Sequence, residues 1–355
     1  MTQHRPTVTV IVPAYNAVAT LDACLTAIRA QTYPVTEVIV VDDRSTDATA
    51  ELAAGYSATV LRQPVNAGPS AARNAGAAAA TGELLCYVDA DIALAPDALE
   101  QGVAVLAEDP SVGLVHGIYD TEPLVDDGPV ERYKTLHNHH WRVRAVGEVR
   151  TALFALAVVR RDVLLAAGGF DETLRDGEDI EISGRLARRC RIILTDRMMG
   201  RHDDAATLRA VLSEQFRRSR QLVPMAVAER KRAGTGAAKA GSRAPNLTAH
   251  RPASLAATAL AVATLPAVAV SPWLAAVPAA ALVASFAADP GLVKLVRQER
   301  GLVFLGFFAV VHVLVQVTLL AAAATGAVAW LLRRRPAESW RKPVAVPAPY
   351  GLYGR

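Results

Sequence analysis

The sequence predicts an α/β fold with a mainly parallel sheet flanked by helices, followed by membrane-spanning helices at the C-terminal end. The first observation is that β-rich apolar runs alternate with helical patterns four times before residue 92, which is the doubly wound pattern. The second is that residues 253–288 and 301–332 contain no charged side chain. A membrane span needs about 20 apolar residues, so both stretches are long enough to insert.

Strands and helices follow from the side-chain pattern. The run at 8–12 is rich in β-branched residues and ends at Pro13, and the run at 38–41 is wholly apolar, as in a parallel strand buried on both faces. Helices follow from apolar residues at helical spacing. The predicted strands are 8–12, 38–41, 59–61, 83–88, one before residue 115, and 154–159. The predicted helices are 21–31, 48–54, 70–80, one from 103, 161–167, and one that opens at Asp179.

Two carboxylates, Asp89 and Asp91, follow the strand at 83–88 directly. Open α/β sheets bind ligands where their strands end. Carboxylate oxygens at such an edge are suitable ligands for Mg²⁺ or Mn²⁺, and the ion in turn binds a diphosphate. A solvated turn is the plainer explanation of this pair taken alone.

The first strand is followed by Pro-Ala-Tyr-Asn, without the glycine-rich signature of a dinucleotide-binding domain or a P-loop. Aromatic and backbone groups of this turn are suited to flank a nucleobase instead. A second carboxylate group at 177–181 opens a helix and includes Asp179. Helix capping and dipole pairing explain an acid there without chemistry, and a catalytic base is the alternative.

The polar–aromatic cluster at 137–141, His-Asn-His-His-Trp, leaves two interpretations open. One is a surface helix near an acceptor pocket, and the other is a metal site, although the spacing is not an ordinary zinc spacing. A lone His202 is likewise either a surface side chain or a group near donor phosphates or a metal.

Seven segments in order resemble the family 2 glycosyltransferases, which have the GT-A fold and invert configuration at the sugar. The resemblance covers roughly residues 7–220. The segments are Val-Ile-Val-Pro-Ala-Tyr-Asn from Val10, Val-Asp-Asp-Arg-Ser-Thr-Asp at 41–47, Asn-Ala-Gly at 66–68, Ala-Arg-Asn-Ala-Gly at 72–76, Asp-Ala-Asp at 89–91, Gly-Phe-Asp-Glu at 169–172 and Gly-Glu-Asp at 177–179.

The resemblance implies a role for each matching residue. Asp179 corresponds to the general base, Asp91 to a ligand of the divalent cation (Mg²⁺ or Mn²⁺), and His202 to a group near that cation or the donor phosphates. The remaining matching residues bind the donor: Pro13, Tyr15, Asp43 and Arg73 at the nucleoside with Asp42 close by, Asp89 at the ribose or the metal, and Arg218 at the diphosphate. Direct displacement at the anomeric carbon needs one base and positive charge on the leaving diphosphate.

Processive relatives carry Gln-x-x-Arg-Trp after the base, whereas residues 215–219 here read Gln-Phe-Arg-Arg-Ser. The missing tryptophan favours a single sugar transfer. We expect a catalytic domain over 1–228, including a basic amphipathic helix at about 207–228 that lies in the membrane interface or docks on that domain. A basic linker at 229–252 and a tail at 333–355 flank the membrane region.

Pro272 divides the first uncharged stretch, so three spans are expected, at 253–271, 273–288 and 303–331; two spans are the alternative. The scattered Cys24, Cys86 and Cys190 fit a reducing compartment. The net charge of +4 is concentrated next to the apolar stretches, which favours an anionic membrane surface over nucleic acid as the partner.

These features predict an integral protein of the plasma membrane with a cytoplasmic catalytic domain. It would transfer a sugar from a nucleotide-sugar donor to a membrane acceptor, a polyprenyl phosphate or a lipid-linked glycan. An anchored domain gains effective concentration for membrane-bound substrates. The rival hypothesis is a catalytically idle GT-A domain that binds nucleotide sugar or lipid as a scaffold. A nucleotidyltransferase would need a glycine-rich first turn, which is absent.

Overall fold

The computed structural model describes residues 5–174, 177–220 and 251–332. Its strands are β1 (Val8–Ala14), β2 (Glu37–Asp42), β3 (Thr59–Arg62), β4 (Leu84–Val88), β5 (Ile92–Leu94), β6 (Val112–Tyr119), β7 (Gly147–Val149), β8 (Leu156–Arg160) and β9 (Arg191–His202). Its helices are α1 (Leu21–Arg29), α2 (Thr49–Ala54), α3 (Pro69–Ala79), α4 (Ala98–Glu108), α5 (Pro129–Val143), α6 (Arg161–Ala166), α7 (Glu178–Leu186), α8 (Leu208–Ser219), α9 (Pro252–Thr264), α10 (Ala276–Ala287) and α11 (Pro290–Leu332).

One mixed sheet organises the strands of the described residues, in the order β3-β2-β1-β4-β8-β6-β9-β5, with β7 paired to β9. Strands β3, β2, β1 and β4 run parallel, and β8 lies antiparallel between β4 and β6. The carboxyl ends of β1, β2 and β4 therefore reach the same edge of the sheet. The predicted mixed sheet flanked by helices is confirmed.

Both faces of the sheet are buried because helices pack on each of them, and alternate residues of a strand therefore belong to different cores. Val10 and Val12 belong to the core beneath α1 and α4, whereas Ile11 belongs to the core that includes residues of α3 and α7. A glycine in α3 makes the second contact close: a Cβ on Gly76 would lie 2.4 Å from Cγ2 of Ile11. Burial on both faces explains why the central strands are recognisable as continuous apolar runs.

Strands β5, β7 and β9 were not predicted from the sequence. The longest, β9, carries Arg191, the charged segment at 195–197 and Arg201 among its apolar residues. Exposed and buried positions do not alternate strictly along it, so period-2 patterning is lost. Strand β9 nevertheless connects a large part of the sheet, because it pairs with β5, β6 and β7.

The chain divides into two compact units. Among the described residues, the first contains 5–125 and 142–203, with the sheet, and the second contains 126–141 and 204–332. In the second unit α8 packs with α5 and α11 around Tyr133, Val211 and Phe308. Helix α8 begins after Thr207, whose hydroxyl accepts from the Ala210 amide at 3.3 Å. Residues 221–250, which include the predicted end of the amphipathic helix and nearly all of the linker, lie outside the described residues, as does the tail.

Two helical segments of the described residues have the length and composition to cross a membrane, Pro252–Ala269 and Pro290–Leu332. A shorter apolar segment, Pro272–Ala287, lies between them. The longest helix is interrupted at Gly301, whose φ of 78° is left-handed, so the charged stretch before Gly301 is separated from the apolar stretch after it. The number of spans and the domain boundaries stay predictions.

The cluster at 137–141 lies in α5. His137 and His140 are both buried, and Nε2 of His140 lies 3.0 Å from Oδ1 of Asp289. His137 stacks on Tyr133 within the same helix. Within the described ranges these histidines belong to no group of three or more ligand-type side chains, so the metal-site interpretation gains no support.

Candidate active site

The loops after β1 and β2 form one side of the candidate site and are tied together by side chains. Asn16 has a φ of 49°, its amide donates to the hydroxyl of Ser45 at 2.9 Å, and its Oδ1 accepts from the Thr46 amide at 2.8 Å. Pro13 is half-buried in β1 opposite Val41. This arrangement fixes the position of the turn that was predicted to flank a nucleobase.

The two acids at the carboxyl end of β2 bind backbone amides and an arginine. Asp43 is buried, and its two oxygens accept from the amides of Ala67 and Gly68 at 2.7 and 2.8 Å. Asp42 accepts from the Ser45 amide at 3.0 Å and pairs with Nε of Arg62 at 3.1 Å. Both acids thus fix the loops around the predicted nucleoside pocket. Their direct contact with the nucleoside stays a prediction. Tyr15, 51% exposed, is an open aromatic surface at this edge.

Arg73 of α3 lies at the centre of the site and is 3% exposed. Its guanidinium nitrogens lie 3.0 Å from Oδ1 of Asp89, 3.2 Å from Oε1 of Glu178 and 3.6 Å from Oδ1 of Asp179. Burial disfavours the charged guanidinium, but the three surrounding carboxylates outweigh burial and raise the pKa of Arg73. The Arg73 guanidinium therefore connects Asp89, the acid after β4, to the two acids at the start of α7.

Two sequence motifs meet beside Arg73. Oδ1 of Asn74 accepts from the Phe170 amide at 2.8 Å, and its Nδ2 donates to the Phe170 carbonyl at 2.9 Å. Gly169 has a φ of 67°, and a Cβ there would lie 2.7 Å from Oδ1 of Asn74. The Arg-Asn and Gly-Phe-Asp-Glu motifs are therefore parts of one contact, with the Arg73 guanidinium over the Phe170 ring.

Asp179 lies in the first turn of α7, but its carboxylate is directed to another segment. Oδ2 accepts from the Phe154 amide at 3.3 Å, and Gly177 occupies the N-cap position with a φ of 82°. Oδ1 is buried and accepts no hydrogen bond from any described residue. Asp179 therefore does not cap α7 and is held against the segment before β8, although its place in the first turn still allows pairing with the helix dipole.

The pKa of Asp179 is raised from 3.8 to about 7. Burial is the largest cause, since the side chain is 19% exposed and loses hydration. Arg73 opposes the shift, while the charges of Glu178 and Asp89 add to it. A carboxyl group whose pKa lies near neutral pH is suited to take up a proton during a reaction.

Three successive amides before β8 each point to a different side chain, and only the third contacts the Asp179 carboxylate. The Ala152 amide donates to the hydroxyl of Ser183 at 2.9 Å, and the Leu153 amide points to Nδ1 of His116 at 3.5 Å, before the Phe154 amide donates to Asp179. Burial, assisted by Arg142, lowers the pKa of His116 to about 3. The imidazole is therefore neutral and able to accept at Nδ1.

Asp89, Asp91 and His202 form the other end of the site. Oδ2 of Asp91 lies 3.7 Å from Nε2 of His202, and Oδ1 of Asp91 is buried without a hydrogen-bond donor among the described residues. Burial around this oxygen raises the pKa of Asp91 to about 6, an effect that His202 opposes and Asp89 reinforces. The oxygens and imidazole nitrogen are a donor set that fits Mg²⁺ or Mn²⁺. An orphaned carboxylate oxygen is what a cation would satisfy.

Arg218 belongs to the second unit, on α8. Its guanidinium pairs with Glu214 at 2.7 Å, and its side chain is 56% exposed. Ser219, which stands where processive relatives carry tryptophan, accepts from the Gln215 amide group at 2.8 Å. The predicted contact of Arg218 with a diphosphate stays a prediction.

Some residues around the site carried no recognisable signal in the sequence. His116 and Arg142 are such residues, because their neighbours are distant along the chain. Ser183 is four residues after Asp179, so helical spacing places both on one face of α7; this spacing was the one available indication. Glu178 belongs to the Gly-Glu-Asp motif, but nothing in that motif indicates its ion pair with Arg73.

The mixed sheet, with carboxylates at the ends of β2 and β4 and at the start of α7, has the arrangement of the GT-A fold. The model of Glycosyl transferase family 2 matches residues 9–164, and the chain therefore carries a domain of that family. Glycosyltransferase AglE of Haloferax volcanii is 32% identical over 52% of this chain, and the pre-mycofactocin glycosyltransferase of Mycobacterium tuberculosis is 33% identical over 52%. The chain spans 62% and 39% of these two relatives, respectively.

A solved structure is similar over most of the chain. It is the mannosyltransferase PcManGT from Pyrobaculum calidifontis in complex with GDP-Man and Mn²⁺. The TM-score is 0.55 at 26% identity, and the similarity covers 91% of this chain and 88% of that one. The similarity thus extends well beyond the residues that the family model matches, and it confirms the GT-A fold.

Proposed function

We propose that this protein transfers a sugar from a nucleotide-diphosphate donor to a membrane-associated acceptor, with inversion at the anomeric carbon and Asp179 as the base. The observation that carries the proposal is the asymmetry of the Asp179 carboxylate. One oxygen is fixed by the Phe154 amide, while the other, 3.6 Å from the Arg73 guanidinium, accepts no hydrogen bond among the described residues. A base needs one positioned oxygen that remains available for a proton.

Asp179 accepts the proton of the acceptor hydroxyl at Oδ1 as the acceptor oxygen attacks the anomeric carbon. Its pKa of about 7 gives a substantial ionised fraction at neutral pH and enough basicity to hold the proton afterwards. Where the acceptor is an ionised phosphate, no proton has to be removed, and the carboxylate then serves to orient the attacking group. One base is sufficient for a direct displacement, in contrast to the carboxylate pairs of glycoside hydrolases.

Arg73 fixes the position of Asp89, on the donor side of the site, relative to Asp179, the base, because its guanidinium contacts both carboxylates. Asp91 and His202 would hold a divalent cation, with Asp89 beside them. Such a cation, when bound, stabilises the charge that develops on the leaving diphosphate. The Mn²⁺ and GDP-Man named for the similar mannosyltransferase structure support this choice of metal and donor class.

The acceptor is a membrane lipid, either a polyprenyl phosphate or a lipid-linked glycan. The apolar helices α9 and α11 anchor the chain, and an anchored catalytic unit encounters membrane-bound acceptors at a high effective concentration. The catalytic unit is cytoplasmic, where nucleotide sugars are made and cysteines stay reduced. Serine at 219, in the position of the processive tryptophan, supports transfer of a single sugar.

A donor panel tests the proposal. Membranes containing the full chain are incubated with radiolabelled nucleotide sugars and Mn²⁺, and the label is followed into a lipid extract. One donor should give a labelled lipid with release of the nucleoside diphosphate, and EDTA should stop the reaction. Tight donor binding without label transfer or diphosphate release, for all donors, would favour the scaffold hypothesis instead. A washed membrane without the chain is the control.

A further inference from the structure

Tyr119, at the end of β6, carries two planar groups against its ring. The imidazole of His202 is stacked on it, with ring centroids 4.5 Å apart and planes inclined by 1°. The guanidinium carbon of Arg142 lies 3.9 Å from the Tyr119 ring centroid. Tyr119 and Arg142 are each 5% exposed, so this stack is an ordered part of the interior.

The sheet register places the stack beside Asp91. Tyr119 is paired with Gly200 between the parallel strands β6 and β9. His202 follows two residues later on the same face of β9, so it is the diagonal neighbour of Tyr119. On its other side β9 pairs with β5, where His202 is opposite Ile92, the residue after Asp91. Backbone pairing thus brings His202 next to Asp91, and the tyrosine supports the imidazole from the side.

The stack has a consequence for how the imidazole is oriented. The outer torsion of a histidine side chain has broad minima, so backbone register alone does not fix the plane of the ring. The Tyr119 ring fixes that plane, and in this orientation Nε2 lies 3.7 Å from Oδ2 of Asp91. This distance is too long for a hydrogen bond. It suits two ligands of one cation, because ligands at about 2.1 Å from a metal lie up to about 4.2 Å apart.

We propose that Tyr119, supported by Arg142, is a positioning residue that holds the imidazole of His202 in the orientation required to ligate a divalent cation together with Asp91. The inference rests on the proposed function and deepens it, since it explains how a nitrogen ligand is kept in place. Groups that orient a metal-ligating histidine commonly change metal affinity by about 10–100-fold when they are removed. Here the orienting contact is a ring face rather than a hydrogen bond.

Manganese affinity of the full chain, without donor or turnover, is the direct readout. Free Mn²⁺ is titrated by electron paramagnetic resonance against purified wild type and variants in detergent. Tyr119→Leu, which removes the ring, should raise the Mn²⁺ dissociation constant by about 10-fold or more, toward that of His202→Ala. The matched control Tyr119→Phe keeps the ring and should stay within about 3-fold of wild type, a range well below the loss expected for a removed orienting group.

A double variant separates positioning from general packing. If Tyr119 acts through His202, adding Tyr119→Leu to His202→Ala should cause little further loss, because neighbouring effects on one ligand are not additive. Wild-type affinity in Tyr119→Leu, or fully additive losses in the double variant, would overturn the inference. If Tyr119→Leu does not fold, Arg142→Met takes its place: a weaker Mn²⁺ affinity is expected, and an unchanged one would equally overturn the inference.

The same titration distinguishes failure of the metal site itself from failure of the positioning role of Tyr119. If wild type bound no Mn²⁺, or if His202→Ala bound it as wild type does, the metal site under the proposed function would fail, and the positioning role with it. If His202→Ala weakened binding while the Tyr119 and Arg142 variants did not, the metal site would stand and the positioning role alone would be refuted. Thermal unfolding of each variant confirms that the folded chain is being titrated.

Discussion

Replacing Arg73 by methionine would remove the guanidinium group that three carboxylates share. The guanidinium lies within 3.0–3.6 Å of Asp89, Glu178 and Asp179, whose side chains are 30%, 14% and 19% exposed. Removing one partner of a buried ion pair costs about 3–5 kcal/mol, because the remaining charge stays poorly solvated. For a unit of this size that corresponds to a fall in melting temperature of about 6–20 °C.

The loss should depend on pH in a defined direction. The folded-state pKa of Asp179, about 7, lies above its ordinary 3.8, so between these values the folded chain holds a proton that the unfolded chain has released. The contribution of this group to stability is therefore present at low pH and falls as pH rises toward 7. Arg73→Met should raise this pKa further. The difference in melting temperature should thus be largest near pH 8 and smaller near pH 5.5.

Differential scanning calorimetry of the full chain in detergent measures this difference. Arg197→Met is the matched control, because Arg197 pairs with Glu108 on the surface, and a surface pair contributes at most about 1 kcal/mol. A melting temperature for Arg73→Met within 2 °C of the control at pH 8 would refute the reasoning, where about 2 °C is the shift expected for less than 1 kcal/mol. A deficit that grew toward pH 5.5 would contradict the assigned sign.

Three further predictions concern the base and the packing beneath it. The kcat/KM for sugar transfer to a hydroxyl acceptor should rise with pH and level off above the Asp179 pKa of about 7, because the base acts unprotonated; a flat profile from pH 5.5 to 9 would exclude it. Ser183→Ala should lower stability by about 1–3 kcal/mol in calorimetry, since a buried amide loses its acceptor, whereas Ser183→Thr should retain most of it. Gly76→Val should cost about 1–3 kcal/mol through overpacking, while Gly184→Ala, with nothing within 4 Å of its new methyl group, should cost nothing by thermal unfolding.

The central strands and the order of the motifs were predictable from the sequence. Strands β1, β2 and β4 contain continuous buried apolar runs. In β2 the run ends at Asp42 and Asp43, and after β4 it is followed directly by Asp89. The resemblance to the family was recognisable because seven short segments, most of them with aspartate, occur in one order. By contrast β9 has mixed polarity, and its three pairing partners depend on the whole sheet.

The contacts within the site were less predictable, because they join residues that are far apart in sequence. Arg73 was expected at the nucleoside, yet its observed partners are acids 16, 105 and 106 positions further on. Asp43 was expected to bind the nucleoside, and the structure has both of its oxygens bound to the amides of Ala67 and Gly68. Neither contact follows from local propensity. That Asp179 does not cap α7 follows only from the structure, in which Gly177 is the N-cap residue and the carboxylate accepts from the Phe154 amide.

The central claim is that Asp179 is the base, and Asp179→Asn tests it most directly. Asparagine matches the shape of aspartate but cannot take up the acceptor proton, and a positioned base is worth about 10²–10⁴ in rate. With a hydroxyl acceptor, turnover should fall by that factor, while donor affinity and melting temperature stay near those of wild type. Glu178→Gln, the neighbouring control, should lose far less. If Asp179→Asn retains more than about a tenth of wild-type transfer, well short of that factor, the base is another group and the mechanism is wrong.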